Sequence, residues 1–482
     1  MLLMLLSICG CSKTAGQIKK QKEETVIKVG VAGIAASDSA LQRVNEKLGD
    51  LSRQKYGFRI ELLRDDTSAG KDFAFYTDAA EGVDIKGFYY AEFKKYAEKG
   101  MLLDMAPYLD KYGSELKRVL EDKAEIEKSL SGHIYGIPKT YNYVGVLFNN
   151  EYVRKYQMDL SKVKKIEDME PLLETIRKNE PDIIPWAKVK TGPIAIARNP
   201  IGDLLDDMLC MVDYEDDTLQ VKNMYETEEY EERVRMIQKW YQKGYLQKDI
   251  LTSGEYGQAL LKEGMAFSTE TVVRPDEREY LENMNGDKIA YAVFEQKPLI
   301  DTECDWVYVW CIARNCTYPK EAVQALNAIY EDQDILTTIL YGVEGTDYVQ
   351  REDGHLENPP ETEENDDSYQ LYYKWMFNRL NAKLWVGVDE NVKEEMEAMK
   401  QDAIVSPAYG FWFDASKVSV DLVKIQNVIN KYKDKLNCGV CDVDQVLPQF
   451  RKELRQAGSE QLVKEVQQQV DEWKAAQEGI VP

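Results

Sequence analysis

Val26-Ile27-Lys28-Val29-Gly30-Val31 alternates branched apolar residues with polar or small ones, which reads as a strand half-buried in a sheet. The next stretch changes period. Between Ala40 and Gln54, Leu41, Val44, Leu48 and Leu51 recur at helical spacing. Phe58 to Leu63 then returns to strand character. A strand, a helix and a second strand in this order imply a parallel pair joined by a right-handed crossover, and so an α/β fold. Gly82 to Phe88 supplies the next strand, followed by a helix with Phe93, Tyr96 and Ala97 on one face and Gly100 as its stop.

The alternation continues along the chain. Val144 to Phe148, Lys288 to Phe294 and Trp306 to Ala313 read as strands. Glu167 to Lys178 and Thr227 to Lys243 read as amphipathic helices, the second with Tyr230, Val234, Ile237 and Tyr241 on one stripe. Pro319 opens a helix that runs to Glu331. Beyond about residue 366 helices dominate: Ser368 to Asn381, Asp389 to Gln401, Ser416 to Lys433, Val443 to Gln456 and Ser459 to Ala476. The acidic run Glu361 to Asp367 lacks the ligand spacing of a calcium loop and reads as a solvated surface segment.

Composition narrows the function. The 482 residues suffice for two or three domains, and 44% hydrophobic with 30% charged residues is a globular balance. Eighty-five acidic against 61 basic residues leave a net charge of −24. That excess argues against nucleic acid, whose binding needs phosphate neutralisation, and favours a soluble monomer. Thirty Tyr, twelve Phe and eight Trp fill a core and leave some aromatics for a binding cleft.

At the N-terminus an apolar run, Met1 to Ile8, ends in Gly10-Cys11 and gives way to the polar stretch from Ser12 to Glu24. A small residue before a cysteine after an apolar run fits a lipoprotein signal, with Cys11 as the lipidated thiol and the rest extracytoplasmic. The alternative is a frayed terminus with two incidental cysteines. Cys438-Gly439-Val440-Cys441 is a lone CxxC, better suited to a local disulfide or two free thiols than to zinc, and no metal or cofactor is expected. No nucleophile elbow, zinc-protease helix, phosphate loop or dinucleotide fingerprint occurs. With only His133 and His355 available as imidazole bases, both in turn-like surroundings, enzymatic catalysis has little local support.

Several stretches in order resemble the extracellular solute-binding proteins of ABC importers, in the family-1, mostly sugar-binding group. They are Asp84-Ile85, an aromatic cluster and Tyr96 to Met105; Gly132-His133-Ile134-Tyr135-Gly136-Ile137-Pro138; Pro319-Lys320-Glu321-Ala322; and Leu340 to Tyr348. Gly410-Phe411-Trp412-Phe413-Asp414 and Ala457 to Trp473 look like an accessory region of Gram-positive lipoprotein members. The resemblance implies a two-lobe, periplasmic-binding-protein-like α/β fold of type II, with mixed sheets, flanking helices and ligand in the cleft. It places a signal segment at 1–11, a tether at 12–25, lobe one at 26–140 plus 295–342, lobe two at 141–294 plus 343–415, and a helical region packing on the lobes at 416–482. It also implies an ABC permease as partner and hinge closure on an oligosaccharide.

Sugar rings pair apolar C–H faces with hydroxyl edges, so aromatic platforms beside short polar groups suit them. By position, Phe88, Tyr89 and Glu92 are expected in the cleft loop, and Thr140, Tyr141 and Asn142 on the crossing segment after Pro138. Trp186, Glu270, Trp306 and Trp412 are further expected contacts, whereas Trp310 alternates with core residues. A peptide or polyamine binder is the alternative within the class, with Glu92 and Glu270 as its carboxylates. A surface glycan-degrading enzyme and a structural surface protein are the alternatives outside it.

Overall fold

The structure is a computed structural model and describes residues 24–65, 82–121, 133–138, 144–189, 201–206, 208–272, 288–294, 297, 299–301, 308–360 and 367–477. The signal segment with Cys11, nearly all of the tether, and Thr140, Tyr141, Asn142 and Trp306 lie outside them.

Two sheets organise two cores. The first sheet runs Arg59–Arg64, Val26–Val31, Ile85–Tyr89, Tyr308–Ile312, Ile137–Pro138 from edge to edge. The first three strands are parallel, as the opening sequence motif requires, and Tyr308–Ile312 is antiparallel to both of its neighbours. The crossover helix, Asp38–Tyr56, starts at the Ser37 cap and ends at Gly57, whose φ of 81° is left-handed. Its buried Asn45 accepts from Leu62 N and donates to Leu62 O, and Ser52 Oγ accepts from Ile60 N. The outermost strand therefore has backbone groups satisfied by side chains of the helix that covers it. Helices Pro319–Glu331 and Gln333–Tyr341 complete this core.

The second sheet runs Ile289–Val293, Val144–Asn149, Ala266–Val272, Ile184–Ala187. Its core does not end at the lobe. Helix Glu228–Gln242 packs on the C-terminal helices Leu422–Asn437 and Val443–Ala457, and its buried Tyr230, Val234, Ile237 and Trp240 share one core with them and with Ser459–Gln477. Trp240 replaces the expected Tyr241 as the last buried position of that stripe. Phe450 packs edge-on to Tyr225 at 4.9 Å, and Arg451 donates to Tyr225 O and Thr227 O while pairing with Glu231 at 2.8 Å. Leu462, Val466 and Val470 are fully buried, as their spacing predicts. The CxxC is the turn between two of these helices, and its cysteines are free thiols. A side chain at Gly439 would sit 2.6 Å from Ile237 O, so glycine is needed for the turn to rest on the helix beneath.

Two expectations are corrected. Residues 368–381 do not form a helix: Gln370–Leu371 pairs antiparallel with Ile34–Ala35, and two short 3₁₀ turns follow. The same region, placed with lobe two from sequence, buries Tyr369, Leu371, Met376, Phe377 and Ala382 in the first core.

Leu299–Ile300 pairs in parallel with Ile404–Val405. Ser406 Oγ donates to Asp203 at 2.6 Å and Tyr214 Oη to Asp301 at 2.6 Å. From there the strap 409–413 alternates: Tyr409 joins the first lobe's helix Tyr90–Glu98, and Phe411 and Phe413 enter the second core. Among the described residues no helix is long and apolar enough to cross a membrane.

Candidate functional site

Topology identifies the facing edges. Val26–Val31, Arg59–Arg64, Ile85–Tyr89 and Ile137–Pro138 all end on one side of the first sheet, and Tyr308 begins its strand there, opposite Tyr89. Val144 begins its strand at the end of the second sheet where Ala266–Val272 finishes. Pro138 and Val144, close in sequence, therefore stand at the C-terminal ends of the parallel strands of their two sheets, the ends at which open α/β sheets bind ligands.

On the first lobe this edge carries a ladder of rings. Tyr89 is 51% exposed and packs edge-on to Tyr308 at 5.7 Å. Trp375 lies 5.6 Å from Tyr308, Trp310 another 5.6 Å below it, and Phe377 5.0 Å from Trp310. The buried Trp310 donates its Nε1–H to Met376 O. Gly87 makes room: a Cβ there would lie 2.1 Å from the Tyr308 ring. Tyr372 and Tyr373 extend the exposed surface at 62% and 46%. Tyr372 N donates to Gly33 O, and the Tyr373 ring would be 2.4 Å from a Cβ at Gly33, whose φ is 79°. The exposed Tyr89 ring, resting on the buried Tyr308, is a preorganised apolar surface.

The turn bearing these rings is anchored from behind. Lys374 Nζ sits 4.7 Å from the Tyr341 ring centroid and 6.0 Å from Trp385, the two rings being 5.2 Å apart. Burial, and then the Arg379 charge, lower the Lys374 ammonium to about 8. The segment Ala32 to Asp38 after the first strand, whose place at the strand ends makes it a further candidate rim, is tied down as well. Asp367 accepts from Ser37 and Ser39 and pairs with Arg43, which also reaches Asp347 at 2.9 Å. Those two hydroxyls, and then Arg43, hold the Asp367 carboxyl below its usual range. The last residue of the acidic run therefore belongs to the scaffold.

The structure divides the remaining expected contacts. Phe88 is 1% exposed, between the Tyr96 ring at 5.0 Å and the Lys86 ammonium at 5.4 Å, and Lys86 pairs with Asp65. Its strand position turns it away from Tyr89 and into the core. Trp186 is fully buried against Trp240 at 5.6 Å. Both are corrected to core residues. Glu270 is buried in the second sheet opposite Val146, where its charge and that of Glu167 oppose the burial that lowers the Arg233 guanidinium. Glu92 is half-buried in the first turn after Tyr89. Trp412 is half-buried 6.0 Å from Phe93 and 6.2 Å from Tyr90, under the Lys94 ammonium, so it serves the junction of the lobes. Sequence reasoning missed Tyr372, Tyr373 and Trp375, although Tyr369 to Trp375 packs four aromatics into seven residues.

Comparisons with known proteins fit this architecture. The bacterial extracellular solute-binding protein family matches residues 55–339, and a domain of unknown function matches 407–475. A carbohydrate ABC transporter substrate-binding protein of Streptococcus pneumoniae serotype 4 is 24% identical over 490 residues, spanning 97% of this chain and 95% of that one. The crystal structure of the N-glycan transport solute-binding protein NgtS from Streptococcus pneumoniae superposes with a TM-score of 0.78 at 23% identity, over 93% of this chain and 99% of that one. The same protein in complex with Man5GlcNAc gives 0.71 at 22% identity, over 93% and 98%.

Proposed function

Because this chain belongs to the bacterial extracellular solute-binding protein family, we propose that it captures a neutral oligosaccharide between its lobes and delivers it, unaltered, to an ABC permease. The carrying observation is the exposed ring of Tyr89 at the strand ends, backed by Tyr308 and Trp375, with the exposed Tyr372 and Tyr373 on the turn that carries Trp375. Pyranose C–H faces stack on such rings, and hydroxyls take hydrogen bonds from the polar rim at 32–38 and the crossing residues Thr140, Tyr141 and Asn142. The names of the relatives, a carbohydrate transporter subunit and an N-glycan transport protein, support the sugar class. The protein acts as a monomer outside the cytoplasm, anchored through a lipid on Cys11. Cys11→Ala should release it into the medium, and retention on the membrane removes the anchor from this reading.

The experiment is a thermal-shift panel of neutral oligosaccharides, peptides and polyamines. A ligand that binds only the folded chain adds about 2.7 kcal/mol of stability at a hundred times its Kd. Stabilisation by saccharides alone supports the proposal. Stabilisation by peptides or polyamines alone overturns it, and chemical change of the added saccharide would make the protein an enzyme.

A further inference from the structure

We propose that Tyr256 is the second lobe's stacking face for a sugar ring, opposed to the Tyr89–Tyr372–Tyr373 face when the cleft closes. The inference rests on the carbohydrate reading above and supplies the missing half of its site. Tyr256 is 41% exposed, whereas Gly257, Leu260 and Leu261, which follow it, are buried. It stands at the C-terminal end of the second sheet's strands: Gly257 N donates at 2.8 Å to the carbonyl of Lys188, the first residue beyond the strand Ile184–Ala187.

This exposed ring has an over-determined base. A Cβ at Gly257 would lie 1.9 Å from Thr269 Oγ1, so only glycine lets the chain approach the strand Ala266–Val272 this closely. Lys188 is buried and donates through Nζ to Ile250 O at 2.6 Å and Ser253 O at 2.7 Å, pinning the segment that leads into Tyr256. The same ammonium lies 5.8 Å from the Tyr256 ring centroid. A buried cation beneath an exposed ring fixes the ring from the protein side and leaves its outer surface to a ligand. A ring held in place before binding gives up little conformational freedom on contact. Beside it, Gln258 Nε2 donates to Thr271 Oγ1 at 3.2 Å, a polar pair on the same edge that can meet sugar hydroxyls.

Titration calorimetry of the full chain with Man5GlcNAc and with maltotetraose, against a tetrapeptide and spermidine as controls, tests the assignment. For a saccharide that binds the wild type, Tyr256→Ala and Tyr256→Leu should each weaken affinity about tenfold, while Tyr256→Phe stays within about threefold. All three should keep the ligand-free melting temperature of the wild type. Wild-type affinity in Tyr256→Ala or Tyr256→Leu, with saccharide still bound, overturns the inference and leaves the carbohydrate reading intact. A wild-type chain that binds the peptide or spermidine and neither saccharide removes the carbohydrate reading and this inference together.

Discussion

The two lobes build their cores by different routes. The first encloses its sheet with helices from both ends of the same α/β unit and closes it with the returning segment 369–382. The second has a four-stranded sheet whose core is continuous with three C-terminal helices, through Leu447, Phe450, Leu462 and Val466. The C-terminal region is therefore a structural wall of lobe two. The strand ends differ as well: among the described residues the first lobe shows a cluster of edge-on rings, the second Tyr256 set over Lys188.

The comparison is easiest to break at Phe450. Phe450→Ala empties a fully buried site between Tyr225 and Tyr432 and should cost about 3–5 kcal/mol in chemical denaturation. The loss should appear in lobe two's core, read by hydrogen exchange in helix Glu228–Gln242, with the strand Val26–Val31 still protected. Equal loss of protection in both would mean that the lobes share one cooperative unit.

Adjacent residues on one strand give the next test. Phe88→Ala should lose about 3–5 kcal/mol of ligand-free stability. Tyr89→Ala should lose about 1 kcal/mol or less, yet weaken saccharide binding about tenfold. The reverse pattern would place the binding face on the other side of the strand.

Lys374 provides a pH test of the first lobe's anchor. Its folded-state value is lowered from 10.5 to about 8, so between those values the unfolded chain keeps a proton that the folded chain has shed. Wild-type stability should therefore rise across that window relative to Lys374→Met, measured by urea denaturation at stepped pH. Parallel curves would mean that Tyr341 and Trp385 keep the ammonium charged.

The smallest effect is expected at Glu453, which Lys431, Tyr432 and Gln449 hold down to about 2 from 4.5. Its contribution is present above pH 4.5 and lost as pH falls toward 2. Glu453→Gln should lower the melting temperature slightly at neutral pH, less so in high salt, and not at all near pH 2. A large loss would make this exposed pair a principal link between the C-terminal helices.

Much of this was legible where local period and tertiary role agree. The strand Val26–Val31, the helix after Ser37 and the helix opened by Pro319 follow their sequence signals closely. The reading failed where a distant partner decides conformation. Residues 370–371 are extended because Ile34–Ala35 pairs with them, and the rings that follow are placed by Gly33. Side-chain exposure was legible only in part. Phe88 and Tyr89 are equivalent aromatics in sequence, and strand alternation sends one inward and one outward, but nothing local says which. Trp186 was misjudged for the same reason, since Trp240, which buries it, comes from another element.

The interleaving of segments has a consequence for how the molecule is made. Neither half is complete when its first stretch of chain emerges: one waits for residues near 380, the other for residues near 470. The first half can therefore close while the last hundred or so residues are still to come, whereas the second can close only when nearly the whole chain is available, so its folding is the later event.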